Sequence, residues 1–447
     1  MNSCRRSSLG VLLLLMLATS LFASSVFAAS AQTNSSWLNW ASIAWRYFQP
    51  GVGINPTTGL NRANLDWDYA TDWDIASSII SVIMARRIGL IGDTTPTGWG
   101  YRDRINRILS GLEDRPLGTV NGVPWPYWAY NWNGSGCGTY CDNYTGAADS
   151  ARLLIALNML RNFDQSYATR VEAIYERAKG AYDVMAHEFG VGYYQYYMAM
   201  AYEEWGYNET ASLQGFEELK NSSTINVYGI HIPAISTIAE PTVLVLLELN
   251  RSLVSPTFAD LAQRIYETQE ARYSNTGLLT AWSEGEYFKP PYYVYETIYD
   301  PDVPYPGTWV IPIGNQVLVP PLRPIMYTKI AFSYLAIYGS NAYTNALADT
   351  ALSLAGPSGF GEGTFEDGSR APWSQGSLYS DKTNGLVLAA SAYALTGGNA
   401  MSATTGESAA STNTAIPILL AVTVTITIVA LVMIFNRRRK DPRYNLN

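Results

Sequence analysis

Acidic side chains recur beside aromatic ones at four places in this chain. Asp66, Asp68, Asp72 and Asp74 bracket the start of an apolar segment. Glu284 and Glu286 sit in Thr280–Tyr299 with Trp282, Tyr287, Tyr292, Tyr293 and Tyr295. Glu362, Glu366 and Asp367 lie in Gly359–Gly368, and Asp381 precedes the last apolar stretch before the C-terminal region. Carboxylates beside aromatic rings suit sugars, whose C–H faces stack on Trp and Tyr and whose hydroxyls bond to Asp, Glu and Asn. A glycosidic bond is usually cleaved by two carboxyl groups, one acting as acid and one as base or nucleophile. The acid needs a raised pKa, which apolar and aromatic surroundings supply.

Each carboxylate also has a structural reading. Thr71-Asp72-Trp73-Asp74 has the form of a capping box, with Asp74 at the third helical position. Glu362 between two glycines and Asp367-Gly368 would build turns, and Asp381 would be a helix-start charge. Glu284 has the weakest structural alternative, because no helix start follows it. Other chemistries lack their parts. With 2 His and 3 Cys, a multi-ligand His or Cys metal site is nearly excluded, and neither a metal nor a cofactor is expected. His187 and His231 have no nucleophile-elbow motif near them. No glycine-rich phosphate loop is present, and Asp72-x-Asp74 only faintly echoes a Mg²⁺-binding aspartate pair. Outside the two ends there is no basic patch, so nucleic acid is not an expected partner.

The elements that must hold these residues are helices of two kinds. Trp37, Trp40, Ala41, Ala44, Trp45 and Phe48 fall on one helical face. Amphipathic segments follow near Arg102–Leu112, Tyr167–His187, Leu213–Leu219, Pro256–Tyr273 and Ala342–Leu354. Between them lie more apolar ones near Asp72–Ile91, Asp149–Leu160, Tyr193–Trp205, Thr237–Leu249, Tyr327–Tyr338 and Thr383–Leu395. Six exposed-type helices alternating with six buried-type helices predict an all-α fold, an (α/α)6 toroid with an outer and an inner ring. The leading ends of the inner helices, with long aromatic loops such as Pro124–Trp132 and Thr280–Tyr299, would then rim a central cavity.

The 447 residues are 48% hydrophobic and 15% charged, which excludes a disordered chain. Arg5 and Arg6, the apolar run Val11–Phe22 and Ala29-Ser30-Ala31 predict a signal peptide over 1–31. The toroid is expected over 32–395, a flexible Gly/Ser/Thr stalk over 396–415 and a transmembrane helix over 416–435. A basic tail, 436–447, puts that end in the cytoplasm, making a single-pass type I protein whose partner at the helix is the lipid bilayer. The net charge of −8 becomes −14 once the charged residues of both ends are removed, which disfavours anionic polymers. Six sequons, at Asn34, Asn133, Asn143, Asn208, Asn221 and Asn250, suggest a glycosylated surface protein. Cys137 and Cys141 predict a small disulfide loop.

Several pieces, in order, resemble the domain of unknown function 3131 family, grouped with glucoamylase-like (α/α)6 proteins. They are Ala44-Trp45-Arg46-Tyr47-Phe48, Thr71-Asp72-Trp73-Asp74, Ala85-Arg86-Arg87-Ile88-Gly89-Leu90-Ile91, Ser283-Glu284 and Pro290-Pro291-Tyr292-Tyr293-Val294-Tyr295. Tyr327-Thr328-Lys329-Ile330-Ala331-Phe332, Gly359-Phe360-Gly361-Glu362-Gly363 and Thr383-Asn384-Gly385 complete the series. The resemblance implies a toroid and a carbohydrate-related role. It also implies a Glu in the final inner helix, where this chain has Ala389-Ala390. The expected activity is glycoside hydrolysis of poly- or oligosaccharides, with Glu284 as general acid, Asp74 as base and Glu362 as the alternate. Trp73, Trp282, Tyr287, Tyr295, Tyr327, Lys329 and Asn384 would line the sugar sites. The alternative is a glycan-binding or surface-layer protein without catalysis. A polysaccharide lyase on the same fold is a third reading, disfavoured by the acidic charge.

Overall fold

The computed structural model describes residues 34–187, 189–249, 252–290, 292–301, 311–313, 316–318 and 322–398. Twelve α-helices form among them. One set presents a single buried stripe: α1 (34–44), α3 (Tyr101–Asp114), α5 (Ala168–Met185), α7 (Thr210–Glu217), α9 (Pro256–Thr276) and α11 (Ala342–Leu352). The other set is buried over nearly its whole surface: α2 (Asp72–Arg87), α4 (Ala147–Phe163), α6 (Tyr193–Glu203), α8 (Glu240–Glu248), α10 (Thr328–Tyr338) and α12 (Asp381–Leu395). In α8 every residue is buried. A helix without a polar face must be surrounded by other helices.

The contacts supply that surround in cyclic order. Helix α2 packs on α4, α4 on α6, α6 on α8, α8 on α10, α10 on α12, and α12 returns to α2. The odd-numbered helices lie against this ring; α3 packs on α2, α5 on α4, α7 on α6, α9 on α8 and α11 on α10. The rings of Trp37 and Trp40 in α1 lie 6.4 and 5.3 Å from Phe332 of α10. This arrangement is consistent with the expected α/α toroid. Helix α7 starts earlier and ends earlier than its pattern predicts, and a 3-10 turn, Glu218–Asn221, takes over from it.

Four inner helices meet in one buried polar cluster. Arg152 of α4 pairs with Glu248 of α8 at 2.6 Å, and both are cut off from water. Tyr197 of α6 donates to the same carboxylate at 2.9 Å. The guanidinium lies 4.7 Å over the ring of Trp73 in α2.

The long loops between the helices are partly strand-paired. They carry short two-stranded antiparallel ladders, among them Tyr69–Thr71 with Ala129–Asn131, Glu284–Glu286 with Tyr293–Tyr295, and Ile325–Tyr327 with Gly363–Phe365. Ladders satisfy the backbone polar groups that a long loop would otherwise leave unpaired. The expected signal peptide (1–31), most of the stalk (396–415), the membrane helix (416–435) and the basic tail (436–447) lie outside the described residues. Among the described residues no helix is long and apolar enough to cross a membrane.

Removing one partner of a buried ion pair strands the other charge. Arg152→Met should therefore lower unfolding stability by about 3–5 kcal/mol, and Arg152→Met/Glu248→Leu should recover more than half of it. Urea unfolding of the three proteins checks this. A loss in the single variant smaller than about 1 kcal/mol would mean that the pair does not pin the ring.

Candidate active site

Side chains alternate across a strand, so a two-stranded ladder sorts its residues onto two faces. Glu284 pairs with Tyr295, Gly285 with Val294, and Glu286 with Tyr293. Glu284, Glu286, Tyr293 and Tyr295 therefore share one face, and Gly285 and Val294 share the other. Val294 is fully buried. A Cβ on Gly285 would stand 2.5 Å from the Tyr327 ring, so the ladder can lie on that ring only with glycine there. The tyrosine holds the ladder in turn, as its hydroxyl donates to the Glu286 carbonyl at 3.1 Å.

The four residues of the first face line a cavity of about 810 Å³. The leading ends of four inner helices complete it: Thr71 and Trp73 at α2, Ala148 and Asp149 at α4, Tyr194 at α6 and Lys382 at α12. Asn64, Asp66, Trp67, Trp128 and Tyr140 come from the loops before α2 and before α4. Helix starts face the cavity because α2 begins at a capping box, with Thr71 as cap and Asp74 bonding back to the Thr71 N–H at 2.7 Å.

Burial governs the ionisation of this cavity. Desolvation, with a smaller contribution from the Glu240 carboxylate, pushes the Glu284 carboxyl up to about 7. The Lys329 ammonium works against that rise, as does the Tyr293 hydroxyl, which donates to Glu284 Oε1 at 2.9 Å. Desolvation likewise pushes Asp149 up to about 7, with Asp74 and Asp72 adding to it and Lys382 opposing. Glu286 is raised by burial, and Lys382 opposes the rise.

The expected site residues divide. Glu284, Trp73, Tyr287 and Tyr295 line the cavity. The structure does not bring Asp74 to the lining: Thr71 holds one of its oxygens, and Lys382 pairs with the other at 2.9 Å. Glu362, the alternate, is buried behind the mouth and takes the Ser380 hydroxyl. Lys329 is wholly buried in an ion pair with Glu240, which also accepts from Ser283 at 2.6 Å. Trp282 is buried with its indole N–H on Glu366 at 2.8 Å and the Arg272 guanidinium 4.6 Å over its ring. Tyr327 supports the ladder from below. Asn384 bonds the backbone of Phe360 through both ends of its amide, at 2.8 and 3.1 Å. These six side chains are engaged by protein partners and hold the walls. Ala389 and Ala390 are buried within α12. Position 389 is eight residues past the helix start, about 12 Å down the axis, so neither alanine lines the cavity.

Sequence reasoning missed Asp149, Tyr194 and Lys382 as lining residues. A signal existed, since each sits in the first turn of a helix read as inner. Asp149 marked only the start of that helix, while Glu286 and Tyr293 were noted in their loop without a role. Cys137 and Cys141 are disulfide-bonded around the 3-10 turn Gly138–Tyr140.

A carboxyl raised on folding makes the folded chain bind more protons than the unfolded one between the two pKa values. Its contribution to stability is present at low pH and is lost as pH rises through the folded value. Glu284→Gln should therefore gain stability over the parent protein at about pH 8 relative to about pH 5, by up to about 3 kcal/mol. Urea unfolding at both pH values measures it, and an equal difference at the two would contradict a raised Glu284.

Solved structures with the same helical arrangement cover most of the chain. A glucoamylase-like protein from Bacteroides caccae is 14% identical, covering 82% of this chain and 94% of its own, with a TM-score of 0.55. An endo-β-1,2-glucanase from Chitinophaga pinensis, solved with sophorotriose and glucose, is 13% identical over 82% of this chain and 93% of its own, with a TM-score of 0.53. An endo-β-1,2-glucanase from Talaromyces funiculosus, solved with sophorose, is 11% identical over 79% and 83%, with a TM-score of 0.55. At such identities the likeness is one of fold. No curated protein sequence matches the chain. Over residues 39–397, nearly the whole ring and its cavity, the sequence matches a family model, and the chain belongs to that family, described as protein of unknown function (DUF3131).

Proposed function

We propose that this protein hydrolyses glycosidic bonds in poly- or oligosaccharides, with Glu284 as general acid and Asp149 as the second carboxyl group. The observation that carries the reading is that these two carboxyls line one aromatic cavity from different walls, both pushed up to about 7. The Glu284 charge adds to the rise at Asp149, and two carboxyls that both titrate near neutrality can supply one protonated and one ionised group there. Glu284 hands its proton to the glycosidic oxygen as the bond to the sugar carbon breaks. Ionised Asp149 takes up the other half of the chemistry, accepting a proton from water or attacking the sugar carbon itself. This assignment moves the base from Asp74, whose oxygens are engaged, to the carboxyl that reaches the cavity. Glu286 and Lys382 would hold sugar hydroxyls. The fold neighbours named as endo-β-1,2-glucanases support a carbohydrate partner.

The reading without catalysis drew on the missing late Glu. That support weakens with Ala389 and Ala390 lying away from the cavity. In our reading the sugar-acting unit is exported and tethered to the cell membrane by 416–435. Exposure of Asn34, Asn133, Asn143, Asn208 and Asn221, as glycosylation needs, agrees with this.

Glu284→Gln and Asp149→Asn should each lower the release of reducing ends by about 10²- to 10⁴-fold. The parent rate should fall as pH rises above about 7, where Glu284 loses its proton. A Glu284→Gln protein that keeps more than about a tenth of the parent rate would remove Glu284 from the acid role. Deleting 416–447 should send an active protein into the medium; retention in the membrane fraction would sink the tether.

A further inference from the structure

Trp67, Trp128 and Tyr140 line the cavity but take no part in the carboxyl chemistry. They come from two loops, one before α2 and one before α4, and they form a single cluster. The rings of Trp67 and Trp128 are 5.6 Å apart, Trp67 and Tyr140 5.7 Å, and Trp128 and Tyr140 5.1 Å. The Trp67 indole N–H donates to the Tyr140 hydroxyl at 3.0 Å. Tyr69 braces Tyr140 edge-on at 5.0 Å.

Two features keep this cluster in place before any ligand arrives. The Cys137–Cys141 disulfide closes the turn that carries Tyr140. Gly138 in that turn has a φ of +52°, and a Cβ there would stand 2.4 Å from the Tyr69 hydroxyl, so the turn fits against Tyr69 only with glycine. All three rings are only half-buried, unlike the ring-to-ring stacks of the core. Large aromatic surface left partly open at a polar cavity suits a ligand with an apolar face and a polar edge.

The charges around it narrow the ligand. Asp66, Asp149, Glu284 and Glu286 line the cavity, and the one lysine among the lining residues, Lys382, already pairs with Asp74. An anionic sugar would meet repulsion there. We propose that Trp67, Trp128 and Tyr140 form a preformed platform that stacks a neutral pyranose ring of the substrate, beside the reacting carboxyls. The identity of the ligand rests on the glycosidase reading; the platform itself rests on the ring geometry.

The test titrates the full-length protein with neutral gluco-oligosaccharides, β-1,2-, β-1,3-, β-1,4- and α-1,4-linked, with oligogalacturonate as the anionic control. Intrinsic fluorescence and calorimetry read binding to the Glu284→Gln protein, and reducing-end release reads turnover by the parent. Trp128→Ala and Tyr140→Ala should weaken binding and raise KM by about tenfold or more. Their kcat should stay within about threefold, the signature of lost binding rather than lost chemistry. Trp128→Phe, which keeps a ring, should recover most of the affinity and separates stacking from misfolding. Undiminished binding by Trp128→Ala and Tyr140→Ala would overturn the platform and leave the hydrolase reading intact. Binding lost in those variants without turnover by the parent would support the platform and sink the hydrolase. Failure of the Glu284→Gln protein to bind any neutral oligosaccharide, or a preference for the anionic one, would overturn the platform.

Discussion

Buried charge constrains the mouth of this ring more tightly than any apolar contact does. Lys382 and Asp74 join α12 to α2, Lys329 and Glu240 join α10 to α8, and Arg152 and Glu248 join α4 to α8. A charge moved out of water costs several kcal/mol, offset only when its partner sits at the right place. Apolar helices can slide or rotate against one another with modest loss. Helices carrying these pairs cannot, because a shift of one turn would strand two ions. The pairs thus hold α12 against α2 and link α4, α8 and α10 to one another, and so help to set where the starts of α2, α4 and α12 face the cavity.

The same pairing explains the unusual carboxyls. The cations around the mouth are engaged with Asp74 and Glu240, and Lys329 and Lys382 act on Glu284 and Asp149 only as weaker, opposing influences. Desolvation then dominates, and the two carboxyls hold protons to about neutrality. A carboxyl able to give up a proton near neutrality is left where structural ion pairing has used the nearby positive charge. The ladder Glu284–Glu286 with Tyr293–Tyr295 is aimed by an ordinary rule, strand alternation, together with one glycine that lets it rest on Tyr327. The loop aromatics Trp67, Trp128 and Tyr140 add a wall, and a disulfide closes the turn that carries Tyr140.

Much of the fold was legible because helix burial is written in nearby residues. Asp72 to Ile91 reads as a helix without a polar face, and α2 runs from Asp72 to Arg87, buried almost throughout. Thr71 and Asp74 read as a capping box and form one. Glu284 read as the carboxyl without a structural excuse, and it lines the cavity. The ladders in the long loops were not legible, since they pair strands of only two to four residues, too short for alternation to show.

Local pattern therefore determined the alternation of open and buried helices, the helix starts and the association of carboxyls with aromatic rings, because each depends on residues within a few turns of one another. Only the tertiary structure decided which carboxyls are engaged and which are open. Asp74 meets Lys382, and Glu240 meets Lys329, across long stretches of chain, and no spacing in the sequence encodes such a meeting. Asp149 marked only the start of an apolar segment and became a cavity carboxyl, whereas Lys329 and Asn384 looked like ligand contacts and became wall supports. The physical reason is that ionisation and hydrogen bonding respond to distance in space and to lost water, and both are set only when the ring closes.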